Sequence, residues 1–131
     1  MYEQYFIQDQ TFRNVIQNGE VTGFQIGIKI TYYRGLFLSM VEALEVTVDG
    51  VTYTGDDLIF SVKGQNWPFN KLEEITDVRW DFGEVAMLTV QKPGGLSAGE
   101  HEVGIRQGLR ISYLPFSPSW TTWSKTIQLA G

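Results

Sequence analysis

No cysteine occurs in the 131 residues. That excludes a disulfide framework and any thiolate metal site, and it favours a reducing compartment, so the expected location is the cytoplasm. Histidine is nearly absent too. With a single His, at position 101, the chain cannot assemble the several His and Glu ligands that a jelly-roll metal centre draws from neighbouring strands. Basic residues are few: ten Lys and Arg stand against fifteen Asp and Glu, scattered singly, for a net charge of -5. Phosphate backbones are bound by clustered cations, so nucleic acid is not an expected partner. No apolar run approaches the ~18 to 20 residues of a membrane span, and the opening MYEQYFIQDQTF lacks a basic segment followed by an apolar one. A soluble, unprocessed protein with no membrane contact is expected.

What is present points to strands. Aromatic residues make up 14% of the chain and glycines number 14, a combination that suits pleated, half-buried surfaces joined by tight turns. The length suits one domain over residues 1–131, with a single core. Phe24, Ile26, Ile28, Ile30 and Tyr32 alternate with Gln25, Gly27, Lys29 and Thr31, which predicts a strand with one dry and one wet face. Leu44, Val46 and Val48 do the same against Glu45, Thr47 and Asp49. Asp49-Gly50 then predicts a type I′ hairpin, with Val51 and Tyr53 continuing the apolar parity beyond it.

The other segments follow the same logic. Tyr5–Ile7 and Phe12–Gln17 are expected as two short opening strands parted at Asp9-Gln10, with Asn18-Gly19 turning into the next strand. Leu58–Val62 is a strand ending at Lys63-Gly64. Trp67-Pro68-Phe69 cannot be a central strand, because proline offers no amide, and Leu72–Ile75 suits one helical turn. The apolar run Val85–Val90 predicts a strand buried on both sides or crossing between sheets, stopped by Lys92-Pro93-Gly94-Gly95. His101, Val103 and Ile105 share a face opposite Glu100, Glu102, Gly104 and Arg106. Gln107-Gly108 is expected to turn the chain into Leu109–Tyr113, followed by an irregular loop at Leu114–Pro118. Trp123–Leu129 closes the chain as a strand. About nine to eleven short strands without an amphipathic helix predict an all-β fold, an antiparallel sandwich of jelly-roll or immunoglobulin-like type.

Catalytic signatures are sparse. His101 lies among apolar neighbours, where a lone histidine is more often a hydrogen-bonded core or rim residue than a general base. The carboxylate pairs Asp56-Asp57, Glu73-Glu74 and Glu100/Glu102 fall at turns or on a wet face, where solvated charge is the usual outcome. Glycoside hydrolysis would need two of them across a cleft. Lys92–Leu96 lacks the spacing and the following helix of a phosphate loop. Aromatics are the richer signal. Trp67, Trp80, Trp120 and Trp123, with Tyr32, Tyr33 and Tyr113, exceed what a core of this size needs, and Trp, Tyr and Arg dominate binding hot spots. Tyr32 and Tyr33 are adjacent, so they point to opposite faces and cannot both be core. With Arg34 and Gly35 they mark a recognition element.

The runs YYRGLFLSMVEALEVTVDG, WDFGEVAMLTVQKPGGLSAGEHEVGIR and RISYLPF resemble the small β subunit of the bacterial C-glycoside deglycosidases, over about Phe12 to Pro115. The resemblance implies a β-sandwich that pairs with a larger α subunit, a TIM barrel of xylose-isomerase type holding a divalent metal, usually manganese. The pair would cleave the carbon-carbon bond between a 3-oxo sugar and an aromatic aglycone such as a flavonoid. It also implies that the metal and the acid/base residues belong to the α subunit, that this chain binds no cofactor, and that none of its own residues is catalytic. By resemblance, Tyr32, Tyr33, Arg34 and Gly35, the WDFG run from Trp80, and the run Gly94–His101 would shape the subunit interface or the mouth of the partner's pocket. A free-standing carbohydrate-binding sandwich is the alternative, with an independent enzyme using His101 and Glu100 or Glu102 a distant third.

Overall fold

A computed structural model describes residues 6–32, 34–110 and 119–129. The strands are β1 (Ile7–Gln17), β2 (Glu20–Lys29), β3 (Leu36–Phe37), β4 (Val41–Val48), β5 (Val51–Thr54), β6 (Leu58–Val62), β7 (Gln65–Pro68), β8 (Arg79–Trp80), β9 (Val85–Gln91), β10 (Gly99–Leu109) and β11 (Ser119–Leu129). They form a five-stranded sheet ordered β1-β2-β9-β6-β7, a four-stranded sheet ordered β11-β10-β4-β5, and a two-stranded ribbon of β3 and β8. Every described pairing is antiparallel, so the expected antiparallel sandwich is the fold. Tyr5, Tyr33, residues 111–113 and the loop Leu114–Pro118 lie outside the described residues.

Alternation builds the core. Phe24, Ile26 and Ile28 of β2, Ala86, Leu88 and Val90 of β9, and Leu58, Phe60 and Val62 of β6 are buried from one sheet. Leu44, Val46 and Val48 of β4, Val103 and Ile105 of β10, and Trp123, Ile127 and Leu129 of β11 meet them from the other. Aromatic edges tie the layers: Phe24 meets Tyr53 at 5.5 Å and Phe6 meets Trp123 at 5.2 Å. Lys125 pairs with Asp9 at 2.8 Å where β11 passes β1.

Three hairpins turn on two residues of positive φ: Asn18 and Gly19 (52° and 80°), Asp49 and Gly50 (49° and 87°), and Lys63 and Gly64 (54° and 77°). This is the type I′ geometry that matches strand twist. Pro68 sits on β7, an edge strand, where a missing amide costs no ladder bond. Residues Phe69–Glu74 form a 3₁₀ segment with Leu72 buried.

Three expectations are corrected. The opening strands are one: β1 passes through Asp9-Gln10, and an irregularity between Gln8 and Arg13 absorbs the break. Val85–Val90 neither crosses between sheets nor buries both faces. Ala86, Leu88 and Val90 point inward while Val85 is exposed and Met87 half-buried, so the continuous apolar run conceals ordinary alternation. Gln107-Gly108 is no turn either. β10 runs straight through to Leu109, with Gln107 buried in the sandwich and Gly108 covered by the Trp120 ring.

Candidate functional site

Two of the recognition elements expected from the sequence meet at one end of the sandwich. β2 delivers the chain to Tyr32, and Gly35 donates its amide to the Tyr32 carbonyl at 3.0 Å, closing a turn. Gly35 is buried at φ 69°, with the Trp80 carbonyl only 2.6 Å from where a Cβ would sit. Only glycine permits so close a crossing in that conformation. The crossing places β3 against β8, Leu36 opposite Trp80 and Phe37 opposite Arg79. Arg79 donates to the Arg34 carbonyl at 2.6 Å and lies 5.1 Å from the centre of the Phe37 ring.

Trp80 is wholly buried, edge-on to Phe60 at 5.2 Å, and its indole N–H donates to the Glu84 carbonyl at 2.9 Å. It therefore supports this end from beneath and touches no outside molecule. Beyond it, Glu84 donates its amide to the Asp81 carbonyl at 3.0 Å, with Gly83 at φ 89° inside the turn. The Lys63 ammonium braces that turn, donating to the Arg79 carbonyl at 2.8 Å, to Asp81 at 3.1 Å and to Glu84 at 2.5 Å. The bond to Glu84 chiefly holds the Lys63 pKa above its usual range, and the bonds from Lys63 and Arg79 hold the Asp81 carboxyl below its own.

Of the named residues, Tyr32 is half-buried against the core, Arg34 is exposed and Tyr33 lies outside the described residues. Gln107, expected as a turn residue, is part of the support. It is buried, and its side-chain oxygen accepts from both the amide and the hydroxyl of Thr31, at 3.1 and 2.8 Å. That fixes the point where the chain leaves β2. The glycine in Asp81-Phe82-Gly83-Glu84 was a legible turn signal. Nothing local marked Lys63 as the brace of that turn or Gln107 as the support of Thr31.

The third element sits elsewhere. Lys29 of β2 faces Val85, whereas Gly23 faces Gln91 and the Lys92 amide bonds Thr22. The Gly94–His101 run therefore lies six residues back along β2, roughly 20 Å from the Tyr32 end. His101 is buried there, with Nδ1 2.6 Å from an Asp49 carboxylate oxygen and Nε2 2.7 Å from the Ser97 carbonyl. Both partners are acceptors, so the ring satisfies both only as imidazolium, with two N–H donors. The Ser97 bond is the largest cause of its raised pKa; burial opposes the rise, and Asp49 adds to it. The Glu102 amide and then His101 lower that of Asp49. With both nitrogens engaged, His101 is a strut joining the Asp49-Gly50 hairpin to the loop before β10, and it offers no free base.

The linkage has a definite sign. A raised histidine contributes stability fully below its unfolded value of 6.5, lost as pH rises through the folded value. A lowered aspartate contributes above 3.8, lost as pH falls through its folded value. Melting temperature should therefore hold a plateau between about 4 and 6.5 and fall on the alkaline side. His101→Gln should remove most of the alkaline slope; parallel curves for the two proteins would refute the strut.

Among the described residues no three His, Cys, Asp or Glu side chains converge as a metal site, and no helix is long and apolar enough to cross a membrane. One cleft among the described residues, about 290 Å³, is lined by Ser39, Glu42, Phe69, Asn70, Glu73 and Arg110 among others, and by no residue of the Tyr32–Gly35 or Asp81–Glu84 turns. Arg110 is paired with Glu42 there.

Comparison with known proteins places this architecture. Residues 2–113 match the family model described as C-glycoside deglycosidase beta subunit. A protein of that name from Eubacterium cellulosolvens is 34% identical over 114 residues, covering 86% of this chain and 78% of the relative. The 3'-dehydrocarminate deglycosidase beta subunit of a Microbacterium species is 34% identical over 120 residues, covering 88% and 89%. A C-glycoside deglycosidase beta subunit of Arthrobacter globiformis is 26% identical over 113 residues, covering 82% and 86%. With a family model spanning most of its length and relatives at this identity, the chain belongs to the C-glycoside deglycosidase beta subunit family.

Proposed function

We propose that this chain is the accessory small subunit of a cytoplasmic, heteromeric lyase that cleaves the carbon-carbon bond between a 3-oxo sugar and an aromatic aglycone of flavonoid type. Its larger partner, a barrel of xylose-isomerase type, holds a divalent ion, manganese by preference, and supplies the acid and base. The observation that carries this reading is the family membership itself: relatives along nearly the whole chain bear the name of a beta subunit. The residues at hand agree with it. The single histidine is consumed by two hydrogen bonds, and the acidic side chains among the described residues do not gather into a set that would hold the ion. In this reading the Tyr32–Gly35 turn faces the larger subunit, held from behind by Trp80.

The rival, a free-standing carbohydrate-binding sandwich, would stack sugars on an exposed tryptophan. Trp120 is the exposed one among the described residues, yet the Arg106 guanidinium already lies 3.7 Å over its ring. Co-expression with a candidate larger subunit of xylose-isomerase type decides between the two. The expected outcome is co-elution on size exclusion and turnover of a 3-oxo-C-glycoside that requires both chains. A monomer that ignores that partner, or that binds oligosaccharide alone with a change in tryptophan fluorescence, would sink the proposal.

A further inference from the structure

Few large apolar side chains are exposed among the described residues: Ile16, Phe37, Val51, Phe82, Val85 and Trp120. Ile16 and Val51 flank the hairpin turns at the His101 end, and Trp120 is covered in part by Arg106. Phe37, Phe82 and Val85 all belong to the opposite end, where the Tyr32 turn meets β8. Phe82 is the most exposed of these three, at 56%. It occupies the tip of the Asp81–Glu84 turn, the most heavily braced turn of that end. Lys63 ties three acceptors behind it, Glu84 bonds the Asp81 amide through its side chain at 3.1 Å, and the buried indole of Trp80 holds the Glu84 carbonyl. A turn that served only to connect β8 to β9 would need none of this and would not carry phenylalanine at its tip.

Resting on the accessory-subunit reading, we propose that Phe82 is the anchor by which this chain grips the larger subunit, its ring seated in an apolar socket of that partner. A rigid aromatic on a fixed turn loses little conformational freedom on docking, which is what distinguishes a hot spot from a merely exposed side chain. The surrounding charges suit a rim. Lys63, Asp81, Glu84 and Arg79 are already bonded to one another, so burying them leaves no unpaired ion. A standard interface takes about 800 Å² from each partner, roughly a ninth of the 7216 Å² surface of this chain.

The test uses the two-chain complex. Wild type, Phe82→Leu, Phe82→Ala and Phe82→Asp would each be titrated against the larger subunit by calorimetry, with Val51→Ser as a control at the far end. Affinity should fall in the order Phe, Leu, Ala, Asp, with at least about a 30-fold loss at alanine, while melting temperatures of the free chain change little because more than half of the residue is exposed. Wild-type binding with Phe82→Ala within threefold would overturn the anchor and leave the accessory-subunit reading standing. A wild-type chain that pairs only with a second copy of itself, or with nothing, would overturn both.

Discussion

Replacing Trp80 by alanine is expected to lower the stability of the chain by about 3 to 5 kcal/mol, the cost of emptying a large aromatic site in a closed core. The residue has no exposed surface, meets Phe60 edge-on at 5.2 Å, and lies where the β3-β8 ribbon closes on the five-stranded sheet. Domains of this size are typically stable by about 5 to 15 kcal/mol, so the variant would lose a large share of the margin and melt roughly 10 to 20 °C lower. Trp80→Phe separates two contributions. It keeps most of the apolar volume but leaves the Glu84 carbonyl without its indole donor, a loss of about 1 to 2 kcal/mol. Because that carbonyl belongs to the turn carrying Phe82, the phenylalanine variant should bind the larger subunit more weakly than its small change in stability suggests. A melting temperature for Trp80→Ala within a few degrees of wild type would show that the ribbon is not packed as described.

The dual character of Trp80 shows where sequence reading reaches and where it stops. Parity marked the inward residues of β2, β4 and β10, and Asn-Gly, Asp-Gly and Lys-Gly marked three hairpins, because those signals are written in adjacent residues. Trp80 carried no such signal, and in the WDFG run its size read as easily as a surface aromatic as a core one. Its burial depends on Gly35, a residue 45 positions earlier, crossing its carbonyl. Gln107 was misread for the same reason. Gln-Gly resembles a turn until Thr31, 76 residues away, is seen to bond its side chain within β10. The same limit applied to Val85–Val90, whose outward Val85 and Met87 make the strand read as buried on both faces. The candidate site was thus legible as two separate motifs, YYRG and WDFG, but their meeting was not. The third run, Gly94–His101, belongs to the opposite end. Its histidine could be recognised as structural in type, whereas its charge state follows only from the two acceptors that face it.

Gly35→Ala tests the meeting of the two motifs directly. Alanine at φ 69° costs about 1 to 2 kcal/mol through its Cβ alone. Here the Cβ would also fall 2.6 Å from the Trp80 carbonyl, 3.0 Å from the Asp81 Cα and 3.3 Å from the Phe82 amide. All three are backbone atoms that cannot rotate aside, so the turn must lift away from β8, breaking the Arg79 bond to the Arg34 carbonyl and opening the cover over Trp80. The sum should reach about 3 kcal/mol or more, in the range of strained and overpacked core sites. Gly50→Ala supplies the control, since Gly50 has φ 87° with open space around it and incurs only the backbone cost. A melting temperature several degrees lower for Gly35→Ala than for Gly50→Ala isolates the close crossing, and equal losses would mean that it yields freely. The two variants should also part in function. The Gly50 hairpin lies at the His101 end, so its alanine variant should associate with the larger subunit like wild type. Gly35→Ala displaces the turn bearing Arg34 and the backbone under Phe82 together, and should lose that association even at temperatures where the chain remains folded.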